Sequence, residues 1–269
     1  MELKTIMYKN KQIAYTIQGK EGGTTLTFLH GYLEYKELWS DFIESFKNSY
    51  RILCIDLPGH GQSDVISSIQ TMSESAQIVK QILDRNNIDK TVLIGHSMGG
   101  YVSLAFADQF PNYLQALVLF SSSALSDSTE KKHLRNADIE AIQSGGKEAV
   151  IDSNIPKMFA SENLIAFDFL IKDIKAKVKT MQNEAITSAL EGMKQRVDYK
   201  LFLNQIIVPT LFIAGEHDRL IPVEMSKEQV KDSPNVQFER LAKSGHMGYI
   251  EEKEVSQALL QKFLSGHKI

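Results

Sequence analysis

The segment that constrains this chain most is residues 95–99, with the sequence Gly-His-Ser-Met-Gly. The preceding residues 91–94 form an apolar run typical of a buried strand, and residues 101–110 are typical of a helix. A strand that reverses directly into a helix passes through a tight, strained turn, where glycines at positions 95 and 99 avoid side-chain collisions. Such a turn holds Ser97 out at the carboxyl edge of the sheet, above the helix N-terminus. The motif therefore predicts a serine nucleophile, which needs a base, an acid and an oxyanion hole from the rest of the chain.

The order of strand and helix patterns predicts a mostly parallel sheet. Residues 3–8 and 11–17 alternate between apolar and polar side chains, which predicts an antiparallel hairpin. From residue 26 onward, strand and helix patterns alternate. The strand patterns lie at residues 26–29, 51–55, 91–94, 117–120, 208–214 and 236–241. We therefore expect an α/β fold with a mostly parallel, predominantly eight-stranded sheet and helices on both faces.

The alternation stops between residues 126 and 204, where no clear strand pattern occurs. Helical patterns replace it, most plainly at residues 137–143, 162–169 and 171–193. We expect residues 126–204 to form an inserted helical cap over the sheet. Residues 1–125 and 205–269 then form the α/β core.

Composition and charge limit the partners that this chain is expected to have. The 269 residues are 43% hydrophobic and 23% charged, as in ordinary soluble proteins, and the net charge of -3 does not indicate nucleic acid or an anionic membrane as a partner. Residues 1–20 contain no continuous hydrophobic stretch, so we expect neither a signal peptide nor a membrane span. Cys54 is the single cysteine, which favours a cytoplasmic location. The sequence predicts no oligomeric state.

The most suitable base for Ser97 is a histidine that follows a late strand. A serine hydroxyl is a poor nucleophile at pH 7 and requires a base within hydrogen-bond reach, which in turn requires an orienting carboxylate. His246 follows residues 236–241 in a glycine-containing loop, at the edge where parallel sheets place functional groups. The other histidines are interpreted as turn, polar or surface groups: His30, His60, His96, His133, His217 and His267.

Asp218 is the preferred acid. It follows the strand pattern at residues 208–214 and completes the chain order Ser, Asp, His. A buried carboxylate at this position would hold the imidazole tautomer and stabilise the imidazolium. Two rivals remain open, because Glu216 is close in the same loop and Asp127 follows the preceding strand. A turn-capping role for Asp218 also remains open.

An oxyanion hole requires two N–H groups near the nucleophile. The first candidate is the backbone N–H of Met98, at the start of the helix after Ser97. The second is the N–H of Tyr32, because Gly31 frees the loop after residues 26–29 to turn inward. A simple turn at His30 and Gly31 is the alternative interpretation.

The chain resembles α/β-hydrolase-fold serine hydrolases of the lidded esterase type. The matching segments occur in the family's order at residues 28–32, 56–63, 95–100, 215–218 and 245–246. The resemblance implies that Ser97, Asp218 and His246 form the catalytic triad and that Tyr32 and Met98 supply the oxyanion hole. It also implies a structural role for residues 56–63.

The expected activity is hydrolysis of a small to medium carboxylic ester, a small-molecule acyl substrate, through an acyl-enzyme intermediate. No cofactor and no metal are expected, since the sequence contains no convincing ligand cluster. Thioester cleavage, carbon–carbon bond hydrolysis of a diketone and acyl transfer are alternatives on the same residues. A ligand receptor with slow hydrolysis is an alternative from another class.

Substrate preference is expected to depend on the cap and on the loop after residues 26–29. The candidate pocket residues are His30, Trp39, Met158, Phe159 and Phe167. Such aromatic and apolar side chains also pack between a cap and a core, so core packing is the alternative for these positions.

Overall fold

The computed structural model describes residues 2–269, and its centre is one eight-stranded sheet. The strands are β1 (Glu2–Tyr8), β2 (Lys11–Gly19), β3 (Thr25–Leu29), β4 (Arg51–Ile55), β5 (Thr91–His96), β6 (Leu114–Phe120), β7 (Thr210–Gly215) and β8 (Val236–Leu241). Their order in the sheet is β1-β2-β4-β3-β5-β6-β7-β8. β2 pairs antiparallel with β1 and β4, and all later pairs are parallel. The expected mostly parallel, eight-stranded α/β sheet is confirmed.

Helices alternate with the strands along the chain and cover the sheet. They are α1 (Ser40–Ile43), α2 (Met72–Arg85), α3 (Met98–Gln109), α4 (Thr129–Ala141), α5 (Lys147–Asn154), α6 (Asp168–Lys179), α7 (Asn183–Lys194), α8 (Lys200–Gln205), α9 (Val223–Val230), α10 (Gly248–Glu251) and α11 (Lys253–Gly266). Every residue of β3, β5 and β7 is buried, as expected for parallel strands with both faces covered. No helix within residues 2–269 combines the length and hydropathy required to cross a bilayer.

One predicted helical stretch is two helices in the structure. The pattern at residues 171–193 corresponds to α6 and α7, which residues 180–182 separate. α6 ends where the Thr180 hydroxyl donates a 2.7 Å hydrogen bond to the Lys177 carbonyl. Gln182 then has extended backbone angles, so the chain changes direction before α7. The apolar spacing in the sequence continues across this break, because each of the two helices buries one face.

The five helices α4 to α8 lie between β6 and β7, in the region where the sequence predicts the cap. Backbone hydrogen bonds join this region to the loops at the sheet edge. Tyr199 N donates to Ala124 O at 2.6 Å, and His246 N donates to Met158 O at 2.8 Å. The boundaries of the cap at residues 126–204 stay a prediction.

Candidate active site

The turn between β5 and α3 has the strained geometry that the motif predicts. Ser97 lies between these two elements with φ of 49° and ψ of -112°, angles that L-residues rarely adopt. A side chain at Gly99 would not fit, because its Cβ would lie 2.3 Å from the Leu29 carbonyl oxygen. Ser97 N donates to Phe120 O at 2.9 Å, which fixes the turn against β6. The backbone therefore holds the serine in one defined orientation.

His246 and Asp218 form a close pair at the ends of neighbouring strands. His246 Nδ1 donates to Asp218 Oδ2 at 2.7 Å, and both side chains are almost fully buried. The other oxygen, Asp218 Oδ1, accepts hydrogen bonds from the N–H groups of Leu220 and Ile221 at 2.8 and 2.9 Å. Burial opposes ionisation, but the charge and hydrogen bond of His246 hold the pKa of Asp218 below its ordinary value. With Nδ1 bonded to Asp218, the Nε2 atom is left to accept a proton.

The two rival acids have other partners. The buried Asp127 carboxylate accepts from Arg135 Nε at 2.6 Å and also pairs with Arg196. Glu216 Oε2 lies 3.0 Å from Arg240 Nη1. Neither carboxylate bonds to His246, so Asp218 is the acid that the structure brings to this imidazole.

Ser97 and His246 line the same cavity, here called the Ser97 cavity, with a volume of about 360 Å³. Within residues 2–269 the Ser97 hydroxyl forms no hydrogen bond, although the Ser97 carbonyl accepts one from the Ser122 hydroxyl at 2.9 Å. Hydrogen bonds between catalytic groups are often long before substrate binds and shorten in the substrate complex. The cavity therefore brings the predicted nucleophile and the predicted base to one space.

Two N–H groups are available on the loops that flank Ser97. Met98 is the first residue of α3, so its N–H has no partner within the helix. Tyr32 is the third residue after β3 and lines the Ser97 cavity. The preceding Gly31 admits no side chain, because an added Cβ would lie 2.4 Å from Glu34 Oε1 and 2.9 Å from His96 Nδ1. The Tyr32 loop is therefore held tightly against the turn that carries Ser97.

A buried charged cluster under these loops was not found by sequence reasoning. His96 Nδ1 lies 2.9 Å from Glu34 Oε1 and 3.0 Å from Oε2, and both side chains are fully buried. Glu34 Oε2 also accepts from Gly31 N at 2.8 Å and from the Tyr249 hydroxyl at 3.2 Å. His96 Nε2 donates to the carbonyl of His246 at 2.9 Å. The cluster connects the Tyr32 loop, the Ser97 turn and the His246 loop.

Each member of the Glu34–His96 pair stabilises the charged form of the other. Burial opposes protonation of His96, but the adjacent Glu34 carboxylate outweighs it and raises the pKa of His96. Burial likewise opposes ionisation of Glu34, yet the His96 charge and the Gly31 N–H lower the pKa of Glu34. In the sequence, the available signal was a carboxylate three residues after Gly31, in a loop beside buried strands.

The structure corrects four of the five pocket predictions. Met158 lines the Ser97 cavity. The other four do not line it. Three of them, Trp39, Phe159 and His30, are packed in the core. Trp39 stacks on Tyr249 with ring centroids 3.9 Å apart, and Phe159 is fully buried. His30 is also fully buried, and its Nε2 accepts from Leu57 N at 2.9 Å.

Phe167, the fourth, lines a different cavity, together with Tyr35 and Tyr249. Sequence reasoning missed several charged residues that line the Ser97 cavity: Lys131, Arg135, Asp138, Lys157 and Arg219.

No group of three or more His, Cys, Asp or Glu residues within residues 2–269 is arranged to hold a metal ion.

Hydrolases are among the known proteins that are similar to this chain. The chain is 29% identical over 266 residues to 2-hydroxy-6-oxononadienedioate/2-hydroxy-6-oxononatrienedioate hydrolase of Paraburkholderia phymatum, covering 90% of this chain and 88% of that protein. It is 27% identical over 281 residues to monoacylglycerol lipase abhd6-A of Xenopus laevis, covering 98% of this chain and 82% of that protein.

A similar solved structure is that of a thermophilic esterase from Thermogutta terrifontis with malate bound. The TM-score is 0.92 at 25% identity, and the match covers 99% of both chains. The family model described as alpha/beta hydrolase fold matches residues 24–144 and 187–253, more than half of the chain. On this match, with the sheet order and the turn at Ser97, the chain belongs to the α/β-hydrolase-fold family of hydrolases.

Proposed function

We propose that the protein is a serine hydrolase that cleaves a small to medium carboxylic ester through an acyl-enzyme intermediate. The observation that carries this proposal is the strained Ser97 turn, which opens into the same cavity as the His246–Asp218 pair. Strain at one residue costs about 1–3 kcal/mol and persists where the surrounding structure enforces it, which is typical of functional sites.

In the proposed mechanism, His246 Nε2 accepts the Ser97 proton as Ser97 Oγ attacks the acyl carbonyl carbon. Asp218 holds the Nδ1–H tautomer and stabilises the imidazolium that forms. The N–H groups of Met98 and Tyr32 donate to the oxyanion. His246 then protonates the departing alcohol, and a water molecule deprotonated by His246 cleaves the acyl-enzyme and regenerates Ser97.

The comparisons support hydrolysis of esters and also favour a second candidate. The similar structure from Thermogutta terrifontis is an esterase, and the Xenopus laevis relative is a lipase. The relative from Paraburkholderia phymatum is named as a hydrolase of 2-hydroxy-6-oxononadienedioate, which favours carbon–carbon bond cleavage as the second candidate. Incubation with that compound, followed by mass spectrometry of the products, tests the second candidate directly.

The first prediction concerns Ser97 itself. We expect Ser97→Ala to lower kcat for p-nitrophenyl acetate by about 10⁴-fold or more, because removing a triad nucleophile leaves only binding and oxyanion stabilisation. A fluorophosphonate should label the wild type at Ser97, as read by peptide mass spectrometry. Ser265→Ala removes an exposed serine on α11 and is the matched control, with activity and labelling unchanged. Full hydrolysis by Ser97→Ala, or labelling at another serine, would contradict the proposal.

A further inference from the structure

The Ser97 cavity contains cationic side chains with few anionic partners. Four cationic side chains line it: Lys131, Arg135, Lys157 and Arg219. Asp138 is the one acidic residue among the described residues that line it. The whole chain carries a net charge of -3, so this positive lining is a local property of the cavity. Cavities lined by one sign of charge attract ligands of the opposite sign.

Among the residues that the structure describes, Lys131 is one of the cavity's cations without a salt-bridge partner. It is half-buried on α4, and its Nζ contacts the Leu220 carbonyl at 3.4 Å. Within residues 2–269 no carboxylate oxygen lies within salt-bridge distance of this Nζ. Burial and the neighbouring Arg135 charge lower the pKa of Lys131, and the charges of Asp127 and Asp218 offset only part of this shift. An anion bound beside Nζ would offset both unfavourable contributions.

Arg135 lies four residues after Lys131, on the same face of α4. Its partner Asp127 also pairs with Arg196, so one carboxylate balances two buried guanidinium groups. Arg135 therefore adds positive charge to the cavity wall beside Lys131.

Tyr32 lines the same cavity. Its hydroxyl oxygen is buried, and within residues 2–269 it has no hydrogen-bond partner. A buried polar atom without a partner costs about 1–3 kcal/mol, so it indicates a ligand or water that completes the site. Lys131, Arg135 and Tyr32 are all donors, and a carboxylate is an acceptor that suits all three.

We propose that the substrate carries a carboxylate group, and that Lys131, Arg135 and Tyr32 bind it in the Ser97 cavity. The inference rests on the proposed function, since it specifies the class of ester that Ser97 cleaves.

Asp138, three residues after Arg135, repels an anion in the same cavity. Its own environment opposes ionisation, because burial raises the pKa of Asp138. The other two cations already bind protein groups: Arg219 Nη2 donates to the carbonyls of Pro156 and Phe159, and Lys157 Nζ donates to the Ser153 hydroxyl.

The test compares esters that differ in one carboxylate. Mono-p-nitrophenyl glutarate and p-nitrophenyl valerate differ on the acyl side, and 4-acetoxybenzoate and its methyl ester differ on the alcohol side. We expect kcat/KM to favour the anionic member of at least one pair by about tenfold or more, as one charge-assisted hydrogen bond provides. Lys131→Gln should lower kcat/KM for the anionic ester more than for its neutral partner, so that most of this preference is lost, and Lys131→Arg should retain the preference.

Lys132→Gln is the matched control, because Lys132 is the exposed neighbour on α4. It changes the net charge equally and should leave the preference unchanged. Equal kcat/KM within both pairs, or equal loss of preference in Lys131→Gln and Lys132→Gln, would overturn the carboxylate site. Cleavage of the neutral esters that depends on Ser97 would leave the proposed function intact in that case.

A binding measurement tests the carboxylate site separately from the proposed ester hydrolysis, for the case in which no ester is cleaved. Calorimetric titration of the Ser97→Ala variant with monomethyl glutarate and with methyl valerate measures recognition without hydrolysis. Tighter binding of the anion that is lost in the Ser97→Ala, Lys131→Gln double variant supports the site even if no ester is cleaved. Equal affinity for the two ligands counts against the site.

Discussion

At the scale of single residues, two carboxylates in one loop have different environments. Asp218 is nearly fully buried and bonds to His246 at 2.7 Å, whereas Glu216 pairs with the exposed Arg240 at 3.0 Å. The role of an acid in a triad is to fix the imidazole tautomer. Only the first of these carboxylates is placed to do so, although the two residues are separated by a single position.

We expect Asp218→Asn to lower kcat for p-nitrophenyl acetate by about 10⁴-fold, because the asparagine amide donates to Nδ1 and stabilises the wrong tautomer. Glu216→Gln is the matched control and should retain wild-type kcat. Steady-state kinetics of both variants at pH 7 decide the assignment. If the two variants lose activity to the same extent, the loop as a whole and not the Asp218 carboxylate supports the reaction.

At the scale of elements, the Glu34–His96 pair joins the loop after β3, the end of β5 and the loop after β8. Glu34 accepts from the N–H of Gly31, and His96 donates to the carbonyl of His246. The pair therefore positions the Tyr32 loop and the His246 loop relative to Ser97. A buried ion pair that loses one member leaves an uncompensated charge, which costs about 3–5 kcal/mol.

This pair predicts a pH-dependent contribution to the free energy of unfolding. The raised pKa of His96 gives stabilisation that is complete below its unfolded value and is lost as pH rises through the folded value. The lowered pKa of Glu34 gives stabilisation that is complete above its unfolded value and is lost as pH falls through the folded value. The contribution of the pair is therefore largest between about pH 4.3 and 6.5.

We expect Glu34→Gln to lower the free energy of unfolding by about 3–5 kcal/mol in that interval and by less at higher and lower pH. Urea unfolding from pH 4 to pH 9 measures it. Glu44→Gln, in an exposed pair with Lys47, is the control and should be indistinguishable from wild type. A difference between wild type and Glu34→Gln that does not vary with pH would show that this ion pair is not what the substitution removes.

The same elements show what the sequence can predict. The apolar runs at β3 and β5 predict buried strands, because a strand that is covered on both faces carries apolar side chains on both. The structure buries every residue of these two strands. The pairing of Asp218 with His246 could be anticipated because parallel strands bring their carboxyl ends to one edge. The Glu34–His96 pair could not, because its members lie 62 positions apart and the motif that contains His96 does not indicate a partner for its side chain.

The pocket was the part least accessible to sequence reasoning. An aromatic side chain near the site can face either the cavity or the core, and the packing of distant elements decides between them. Trp39 stacks on Tyr249 and is fully buried, whereas Met158 lines the cavity. Lys131 and Arg135 also line it, at positions that a helical pattern alone would assign to a polar surface.

At the scale of the whole molecule, one buried carboxylate contributes to holding the region between β6 and β7 to the core. Asp127 follows β6, and its buried side chain accepts hydrogen bonds from Arg135 on α4 and from Arg196 after α7. Arg196 also donates to the Leu125 carbonyl at 2.9 Å and lies 4.2 Å from the Tyr101 ring centroid. This cluster sets where α4 lies over the Ser97 cavity.

We expect Asp127→Asn to lower the free energy of unfolding by about 3–5 kcal/mol, because two buried guanidinium groups lose their shared anion. Burial opposes ionisation of Asp127, but its two arginine partners lower the pKa of this carboxyl, so its stabilisation is complete at neutral pH and is lost in acid. Urea unfolding at pH 7 measures the change, and limited proteolysis should show faster cleavage within residues 126–204. Asp152→Asn, which removes an exposed carboxylate beside Lys179, is the control and should change neither measurement. Equal unfolding free energies and equal cleavage for the two variants would mean that contacts other than the Asp127 cluster hold these helices against the sheet.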